Sequence, residues 1–282
     1  MKTIKIDIKH ITKIYEPMLA DAHKGMRGHA LIIGGTYGKI GSVLLSSKAG
    51  LKSGCGLLTT LLPKCGYDIL QTALPEAMVL TDDHEKCISR IEFEIQPDAI
   101  GIGMGMGQEM ITQKAFHAFL KIYNGKLLVD ADGINILSKN KDWLELLPEN
   151  TILTPHKKEL ERLVGTWKDE DEKLKLVQEI ATKYSLVFVL KGAPSQVFDG
   201  KKLYENTTGN SALATAGSGD TLSGIITSFL AQGYTAVDAA ILGVYLHGLS
   251  ADIGVLSIGQ ESFIASDIIE NLGKAFLSLK KK

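Results

Sequence analysis

HALIIGGTYGKIGSVLLSSKAG, residues 29–50, joins a short apolar run to a glycine-rich loop and then to a helix. The run at residues 29–33 has the length and composition of a buried strand. The loop occupies residues 34–41, and Ser42 begins a helical pattern that ends near Gly54. A buried strand that passes through a glycine loop into a helix is typical of a parallel sheet covered by helices.

The same alternation of strand and helix continues along the chain. Further short apolar runs predict strands at residues 57–62, 77–80, 99–102, 126–129, 151–153 and 186–190, and two of them are followed directly by Gly103 and Asp130. Helical periodicity predicts helices at residues 108–123, 157–164 and 170–184. We therefore predict the α/β class, with a mostly parallel central sheet and helices on both of its faces.

The pattern changes after Leu190. Two short runs at residues 196–198 and 202–204 flank Asp199-Gly200, which is a strong signal for a two-residue β-hairpin turn. Three further helices are predicted to begin near Ser218, Thr235 and Ser266. Because no internal repeat, low-complexity tract or linker divides the chain, we predict a single domain over residues 1–282.

The composition is that of an ordinary globular protein. Of the 282 residues, 45% are hydrophobic and 22% are charged, with a formal net charge of -1. The 31 basic and 32 acidic side chains are dispersed, so no basic surface for nucleic acid is indicated. The N-terminal segment lacks an apolar signal region, and no uninterrupted run reaches the roughly 18 apolar residues of a membrane span. We expect a cytoplasmic protein with neither nucleic acid nor membrane as a partner.

The three cysteines, Cys55, Cys65 and Cys87, are odd in number and lack C-x-x-C spacing. This pattern favours reduced thiols over a disulfide framework or a zinc site. Free cysteine of this kind commonly behaves as a small buried hydrophobe.

The segment GNSALATAGSGD, residues 209–220, is the most informative for function. Its small residues allow a ligand to approach the backbone closely. It also runs directly into an apolar helix, whose first amides lack intrahelical acceptors. These features predict a phosphate-binding site in which Asp220 accepts a proton from an attacking hydroxyl. The alternative is structural, with Ser218 as a helix cap and Asp220 as a favourable acid in the first turn.

Other nucleotide-binding motifs do not fit the sequence. Gly38-Lys39 is followed by Ile40, and Gly125-Lys126 by Leu127, where a Walker loop requires serine or threonine. The run GIGMGMG, residues 101–107, lacks the spacing of a dinucleotide fingerprint. It is nevertheless a glycine loop at the predicted carboxyl end of a strand, where open α/β sheets bind ligands.

Polar residues follow three other predicted strands. Asp130 and Asp132 suit Mg²⁺ or ligand hydroxyls, although Asp132 could equally be a turn or cap residue. His156 is a candidate substrate contact at the mouth of the next strand, yet Glu159 three residues later has the spacing of a capping interaction. The turn KGAPS, residues 191–195, could line a nucleotide pocket.

Taken in order, these motifs resemble those of one family, the ADP/ATP-dependent NAD(P)H-hydrate dehydratases of the ribokinase-like superfamily. The resemblance covers nearly the whole chain, and the order and spacing of the motifs together are specific. The motifs that carry it are IIGG, SKAGLKSGCGLLT, GIGMGMG, DADGIN, LTPHKKEL, LKGAPS, GNSALATAGSGD followed by TLSGIITSFLAQG, and VYLHGLSAD.

The resemblance implies a ribokinase-like three-layer fold and a homo-oligomer, commonly a tetramer. It also implies that ADP or ATP drives loss of water from the S-epimer of NADHX or NADPHX, which regenerates NADH or NADPH. The nucleotide would be converted to AMP or ADP plus phosphate, with Mg²⁺ as cofactor. A separate NAD(P)H-hydrate epimerase is the implied functional partner, because too few residues precede the first glycine loop to form an N-terminal epimerase domain.

The site residues of the family carry over by position to this chain. Those implied to contact the hydrate are Ser42, Gly105, His156 and Asp220, of which Asp220 is also the implied catalytic base. Those implied to contact the nucleotide are Lys191, Gly192, Ala193, Pro194, Ser195 and Gly219. The resemblance further implies an anion hole at Gly217, Ser218 and Gly219, and a role for Glu159 in holding Mg²⁺ through water.

This chain departs from the family pattern at a few positions that bear on the site. Ser42 stands where the family usually has alanine, and Ala216 and Ser218 stand in a stretch that more often has the sequence GGTGD. Lys158 replaces a glycine in the turn after the strand. Because lysine does not easily adopt a positive φ, this replacement could alter the hydrate side of the pocket.

Two other functions use the same features. A small-molecule kinase of the same superfamily, acting on a vitamin-precursor alcohol, would need the same glycine-rich anion site and the same aspartate base. A non-catalytic nucleotide sensor would need no base at Asp220, so the intact aspartate argues against it. The combination of GIGMGMG, TPHKKE and KGAPS in this order favours the dehydratase over the kinase.

Overall fold

The computed structural model describes residues 3–19 and 21–279, which form ten strands, ten α-helices and four short 3-10 helices. The strands are β1 (Thr3–Ile6), β2 (His29–Ile33), β3 (Leu57–Leu62), β4 (Met78–Thr81), β5 (Ala99–Ile102), β6 (Lys126–Val129), β7 (Ile152–Leu153), β8 (Val187–Leu190), β9 (Gln196–Phe198) and β10 (Leu203–Asn206). The α-helices are α1 (Ile8–Ile14), α2 (Ile40–Lys52), α3 (Tyr67–Ala73), α4 (Met110–Leu120), α5 (Ala131–Lys139), α6 (Lys157–Val164), α7 (Glu170–Lys183), α8 (Ser218–Ala231), α9 (Ala236–Ile258) and α10 (Ala265–Leu279). The 3-10 helices are Lys24–Arg27, Lys64–Gly66, Lys141–Leu146 and Ser211–Leu213.

All ten strands form one sheet in the order β1-β10-β9-β8-β7-β6-β5-β2-β3-β4. Every neighbouring pair from β8 to β4 is parallel, whereas β9 is antiparallel to both β8 and β10. The chain first extends the sheet from β2 through β3 to β4, and then adds β5 on the other side of β2. Open α/β sheets bind ligands at such a change of direction, at the carboxyl ends of the strands.

Alternate residues of the strands enter two separate cores. In β2, Ile32 packs into the core beneath α2, α8, α9 and α10, whereas Leu31 and Ile33 pack into the core beneath α4, α5, α6 and α7. All three side chains are fully buried, as expected for a strand covered on both faces. The predicted architecture, a mostly parallel sheet between two layers of helices, is confirmed.

The strands at residues 29–33, 57–62, 99–102 and 126–129 have the bounds that the sequence predicts. Among the strands and α-helices, four were not predicted, namely β1, α1, α3 and α5. The helices α1 and α3 have only seven residues each, too few for a clear helical period. The strand β1 depends on pairing with β10 about 200 residues away, a contact that no local pattern contains. The predicted single domain over residues 1–282 stays a prediction, and it includes residues 1–2, 20 and 280–282, which lie outside the described residues.

The predicted hairpin is present between β9 and β10, but its turn is longer than two residues. Phe198 pairs with Leu203, which leaves residues 199–202 between the strands. Asp199 Oδ1 accepts hydrogen bonds from the backbone N–H groups of Lys201 (2.9 Å) and Lys202 (2.6 Å). The side chain of Asp199 therefore closes the longer turn.

Among the described residues, α9 is long and apolar enough to cross a membrane, although its sequence contains no uninterrupted apolar run of about 18 residues. Its apolar window has a mean hydropathy of 1.6, and 61% of that window is buried inside the protein. The helix packs against α8 and α10 in the core that lies beneath α2, α8, α9 and α10. A helix that is apolar on most of its circumference is typical of such a central packing position.

The three cysteines are free, as predicted. Cys55 and Cys87 are buried, and Cys65 is partly buried. Burial raises the pKa of the Cys55 thiol, which keeps it protonated at neutral pH.

Candidate active site at the carboxyl edge of the sheet

Two glycine loops meet at the change of direction between β2 and β5. Gly105 has a φ of +60°, and a Cβ atom there would lie 2.8 Å from the carbonyl oxygen of Lys39 and 2.9 Å from Cβ of Ser42. Only glycine fits this conformation and this close approach. The structure thus brings together Ser42 and Gly105, two of the residues predicted to contact substrate.

The N-terminus of α8 points unpaired amides at the same edge of the sheet. Gly217 caps the helix with a φ of 83°, and a Cβ atom there would collide with the side chain of Leu45. Within the described residues, the backbone N–H groups of Gly219 and Asp220 have no protein acceptor. The Ser218 N–H lies 3.3 Å from the carbonyl oxygen of Thr215. Free amides and the positive end of the helix dipole make this terminus suitable for an anion.

The alternative for residues 209–220 was a purely structural role, with Ser218 as helix cap and Asp220 as an acid of the first turn. It is wrong for Ser218 and correct for Asp220. The N-cap of α8 is Gly217, which makes no side-chain capping bond, and Ser218 is already in the first turn. The Ser218 hydroxyl instead lies 3.3 Å from Nε2 of His247. Asp220 is the acid of the first turn, a position that is compatible with a catalytic role.

A buried ion pair lies beside this helix terminus. Lys191 Nζ lies 2.8 Å from Asp130 Oδ1, and the two side chains are 19% and 1% exposed. Ser223 Oγ donates to Asp130 Oδ2 at 2.7 Å. Burial alone would raise the pKa of Asp130, but the charge of Lys191 and these hydrogen bonds outweigh it and lower the pKa. The pair is therefore ionised, and it presents an ammonium group 3.3 Å from the position that a Cβ of Gly219 would occupy.

Asp220 is partly buried between the two glycine loops and this ion pair. Burial and, to a smaller degree, the charge of Asp130 raise the pKa of Asp220 to about 6, while the Ser42 hydroxyl and Lys191 oppose the increase. At neutral pH the carboxylate is mainly deprotonated yet more basic than an exposed aspartate. Such a group is suited to accept a proton from a ligand hydroxyl.

His156 and Glu159 form a capping box at the start of α6. His156 Nδ1 accepts hydrogen bonds from the N–H groups of Lys158 (3.1 Å) and Glu159 (3.3 Å). Glu159 Oε2 accepts from the His156 N–H at 2.9 Å, and Oε1 lies 3.2 Å from His156 Nε2. Because Nδ1 is an acceptor, the neutral ring carries its proton on Nε2. Burial lowers the pKa of His156, in keeping with a neutral ring.

Lys158, which stands where the family usually has glycine, does not strain the backbone. It lies in the first turn of α6 and is absent from the residues of positive φ.

Glu159 and His156 are available for further roles beside capping. Burial raises the pKa of Glu159 to about 7, Asp130 raises it further, and Lys191 opposes the increase. His156 is 51% exposed, so its ring remains accessible to a ligand while its nitrogens organise the helix terminus.

The loop at residues 191–195 divides into two parts. The Lys191 side chain turns into the ion pair, whereas Gly192, Ala193 and Pro194 are exposed at the rim after β8. Ser195 Oγ donates to the carbonyl oxygen of Gly192 at 3.1 Å, which closes the turn. The structure therefore brings Lys191 close to Gly219, but leaves the remaining predicted nucleotide contacts at the rim.

The carboxylates of this edge do not form a metal site by themselves. Among the described residues there is no group of three His, Cys, Asp or Glu side chains that could hold a metal ion. Asp130 is paired with Lys191, and Asp132 accepts from the Gly107 N–H (2.9 Å) and from the Gln108 side chain (2.8 Å). Both carboxylates therefore already have protein partners, and the expectation that Asp130 and Asp132 suit Mg²⁺ or ligand hydroxyls stays a prediction. Glu159 fits a different arrangement, in which ligand phosphates and water hold most of the Mg²⁺ coordination sphere and one carboxylate lies nearby.

Sequence reasoning did not single out Ser223 or His247. Ser223 is one of several buried hydroxyl residues along α8, and His247 lies between Leu246 and Gly248 in the apolar helix α9. Neither pattern shows which group the side chain faces. Their positions beside Asp130 and Ser218 become evident only from the packing of α8 and α9.

A groove of about 880 Å³ opens at the opposite, amino edge of the sheet, between the starts of β6 and α9. Lys126 in its wall donates to the carbonyl oxygen of Leu230 at 3.1 Å. The ammonium group therefore provides a hydrogen-bond donor for a carbonyl group at the carboxyl end of α8. The groove is therefore distinct from the cluster of titratable groups described above, which is where the chemistry is concentrated.

Comparison with known proteins agrees with this geometry. The family model of the NAD(P)H-hydrate dehydratases matches residues 30–272. The ADP-dependent (S)-NAD(P)H-hydrate dehydratase of Neisseria meningitidis serogroup B is 33% identical over 252 residues, which cover 85% of this chain and 81% of that protein. The bifunctional NAD(P)H-hydrate repair enzyme Nnr of Moorella thermoacetica is 33% identical over 275 residues, or 93% of this chain. The chain spans about half, 52%, of the length of that relative.

A solved structure extends the likeness to three dimensions. The ADP/ATP-dependent NAD(P)H-hydrate dehydratase of Bacillus subtilis, co-crystallised with ATP and Mg²⁺, superposes with a TM-score of 0.83 at 25% identity. The superposition covers 99% of each chain. The expected ribokinase-like three-layer fold is thereby confirmed. With a matching family model over residues 30–272, this chain belongs to the NAD(P)H-hydrate dehydratase family.

Proposed function

We propose that this protein catalyses the ADP- or ATP-dependent dehydration of the S-epimer of NADHX or NADPHX, which regenerates NADH or NADPH. ADP or ATP would be converted to AMP or ADP plus phosphate. Membership of the family and the names of the relatives support the substrate class. The observation that supports the chemistry best is the cluster of Asp220, the free amide of Gly219 and the ammonium group of Lys191.

Asp220 is the proposed catalytic base. Its carboxylate would accept the proton of the ring hydroxyl while the oxygen attacks the terminal phosphorus of the nucleotide. The amides of Gly217, Ser218 and Gly219, together with Lys191, would stabilise the charge on the transferred phosphoryl group. The ring nitrogen would then expel phosphate, and loss of a proton from the neighbouring ring carbon to solvent would complete the double bond. A hydroxyl is a poor leaving group, so phosphorylation divides a difficult elimination into two easier steps.

The other proposed contacts surround this centre. We assign Ser42, Gly105 and His156 to the hydrate, because the first two line the crevice between the glycine loops and the His156 ring is accessible. We assign Gly219 and the turn after β8 to the nucleotide, namely Lys191, Gly192, Ala193, Pro194 and Ser195. Three of these turn residues are exposed at the rim, as a nucleoside-binding loop would be.

Mg²⁺ is the proposed cofactor, held by nucleotide phosphates and by water that Glu159 orients. The ion would neutralise phosphate charge. Glu159 suits this role because its carboxylate is buried at the same edge as Lys191, and the nearby carboxylate of Asp130 is already paired with Lys191. His156 holds both Glu159 oxygens and thus fixes their orientation.

We further propose that the chain acts as a cytoplasmic homotetramer and shares its substrate with a separate NAD(P)H-hydrate epimerase. Support for the second activity comes from the bifunctional repair enzymes, of whose length this chain matches about half. The part that it does not match leaves room for another catalytic domain in those enzymes.

The test is incubation of the purified protein with chemically prepared hydrate, Mg²⁺ and either ADP or ATP. We expect the absorbance of reduced nicotinamide to return only in the presence of a nucleotide. If a phosphate ester accumulated instead without reduced cofactor, or if only a small alcohol were phosphorylated, the chain would be a kinase. Binding of nucleotide without any turnover would indicate a sensor.

A further inference from the structure

A buried histidine of α9 contacts the first turn of α8. His247 is 7% exposed. Its Nε2 lies 3.0 Å from the carbonyl oxygen of Ser218 and 3.3 Å from the Ser218 hydroxyl. None of the roles assigned above uses this side chain.

The direction of this hydrogen bond is fixed by chemistry. A carbonyl oxygen can only accept, so Nε2 must carry a hydrogen to bond the Ser218 carbonyl. Burial lowers the pKa of His247 to about 4, which keeps the ring neutral with a single N–H. The Thr221 hydroxyl donates to the same carbonyl oxygen at 2.6 Å. Two side chains therefore hold one backbone oxygen.

The carbonyl of Ser218 and the N–H of Gly219 belong to the same peptide group. A peptide group is planar and trans, so its C=O and N–H point in opposite directions. With the carbonyl held by His247, the Gly219 N–H points away from α9, and it has no acceptor among the residues that the structure describes. Donation to the carbonyl also polarises the peptide and makes its N–H a stronger donor.

We infer that His247 is a positioning residue that fixes and polarises the Ser218–Gly219 peptide, so that the Gly219 amide binds the terminal phosphoryl group of the nucleotide. This inference rests on the proposed function for the identity of the reaction, but its binding component does not depend on the hydrate. Lys191 lies on the Gly219 side of the peptide. The same phosphoryl group would thus meet one fixed amide and one ammonium group.

The test compares three variants with the wild-type enzyme. His247→Leu removes the donor, whereas His247→Gln places an amide N–H near the position of Nε2. Thr227→Val is the matched control, because Thr227 is a buried polar residue of α8, nine residues after Ser218. Among the described residues its hydroxyl bonds only the Ser223 carbonyl (2.7 Å). Turnover, the KM for hydrate, and the affinities for ADP and AMP by calorimetry are measured for each folded protein.

For His247→Leu we expect turnover to fall about 10- to 100-fold, the range for loss of a residue that orients a catalytic group. The KM for hydrate should stay within about twofold, because the loss concerns stabilisation of the transition state. The preference for ADP over AMP should fall about tenfold, as for a weakened hydrogen bond to a charged group. His247→Gln should recover most of each loss, and Thr227→Val should resemble the wild type.

Wild-type turnover and nucleotide preference in His247→Leu would overturn the inference. The same applies if His247→Gln were as impaired as His247→Leu, or if Thr227→Val were equally impaired. If His247→Leu does not fold, His247→Asn replaces it, since its shorter side chain does not reach Ser218, and equal activity of the Asn and Gln variants would be the contradicting result. Should the wild type fail to dehydrate the hydrate, the proposed function fails, while the ADP-to-AMP comparison still decides the role of His247.

Discussion

Lys191 Nζ and Asp130 Oδ1 lie 2.8 Å apart, although 61 residues separate them in the chain. The two residues follow β8 and β6 directly, so the parallel sheet brings both to its carboxyl edge. The carboxylate is almost fully enclosed, and Ser223 of α8 holds its second oxygen. The pair thus keeps a charged ammonium group next to Gly219 and Asp220.

We predict that Asp130→Asn destabilises the protein by about 3 to 5 kcal/mol, because it leaves the ammonium group of Lys191 buried without its partner. The control is Glu270→Gln, which breaks the exposed pair of Lys48 and Glu270 (2.8 Å) and should cost less than about 1 kcal/mol. Chemical denaturation measures both free energies of unfolding. Equal losses in the free energy of unfolding would show that the buried pair contributes no more to stability than the exposed pair.

We predict that Asp220→Asn retains nucleotide binding but loses at least about 100-fold in turnover, the lower range for loss of a general base. In the wild type, kcat/KM should fall as the pH drops through about 6, since the carboxylate must be deprotonated to act. A pH–rate profile checks this limb. Near-normal turnover of the variant would remove Asp220 from the role of base.

The raised pKa of Asp220 also predicts an effect on stability. The folded protein holds the proton more tightly than the unfolded chain, with a pKa of about 6 against the ordinary value of 3.8. The stability that this group contributes is therefore present at low pH and lost as the pH rises through about 6. Asp220→Asn lacks this titration, so its stability relative to the wild type should increase by about 2 to 3 kcal/mol between about pH 4 and pH 7. A difference that does not change with pH would contradict the burial of this carboxylate.

Gly219→Ala tests the close approach at the start of α8. The backbone of Gly219 is helical rather than left-handed, so the fold should tolerate alanine without strain. The new methyl group would lie 3.3 Å from Lys191 Nζ, within the space assigned to phosphate. We expect ADP affinity to fall about tenfold or more, equivalent to one weakened charged hydrogen bond. Calorimetry with ADP provides the measurement.

Gly273→Ala is the matched control for this substitution. Gly273 also lies in a helix, α10, and a Cβ there would meet no atom within 4 Å. The variant should be more stable by up to about 1 kcal/mol because alanine favours the helix, and its ADP affinity should be unchanged. If both variants bound ADP like the wild type, the start of α8 would have only a structural role.

Glu159→Gln separates the metal role from the capping role. Glutamine keeps an oxygen that can accept from the His156 N–H, so the capping box and the thermal stability should change little. If Glu159 orients water on Mg²⁺, the Mg²⁺ concentration for half-maximal activity should rise about tenfold, the scale of losing one orienting partner of a metal site. An unchanged Mg²⁺ requirement with reduced helix stability would assign Glu159 to capping alone.

The sequence predicts the layered architecture because its signals are local. The buried strands are short apolar runs, of which β2, β5 and β6 end before glycine or aspartate, and β2, β3, β5 and β6 begin and end where the sequence predicts. The glycine segments also indicate which edge of the sheet binds ligands, since residues 34–41 and 101–107 both follow strands. Pairing of Thr3 with Leu203 has no such signal, because it depends on where the chain returns after the hairpin.

The site was predictable as a set of residues but not as a set of contacts. The motifs single out Asp220, His156 and Lys191, but no local pattern pairs Lys191 with Asp130, which is 61 residues away in the chain. Asp132 is used by the Gly107 amide, and this depends on the three-dimensional path of the loop. The contact of His247 with Ser218 likewise requires the packing of two helices.

The stoichiometry of the reaction tests the dehydratase assignment most directly. Purified protein is mixed with hydrate, Mg²⁺ and either ADP or ATP, and the products are quantified by mass spectrometry and by the absorbance of reduced nicotinamide. We predict that nucleotide consumption, free phosphate and recovered NADH or NADPH agree one for one, because the phosphorylated hydrate expels its phosphate and does not accumulate. A stable phosphate ester formed without reduced cofactor would contradict the assignment.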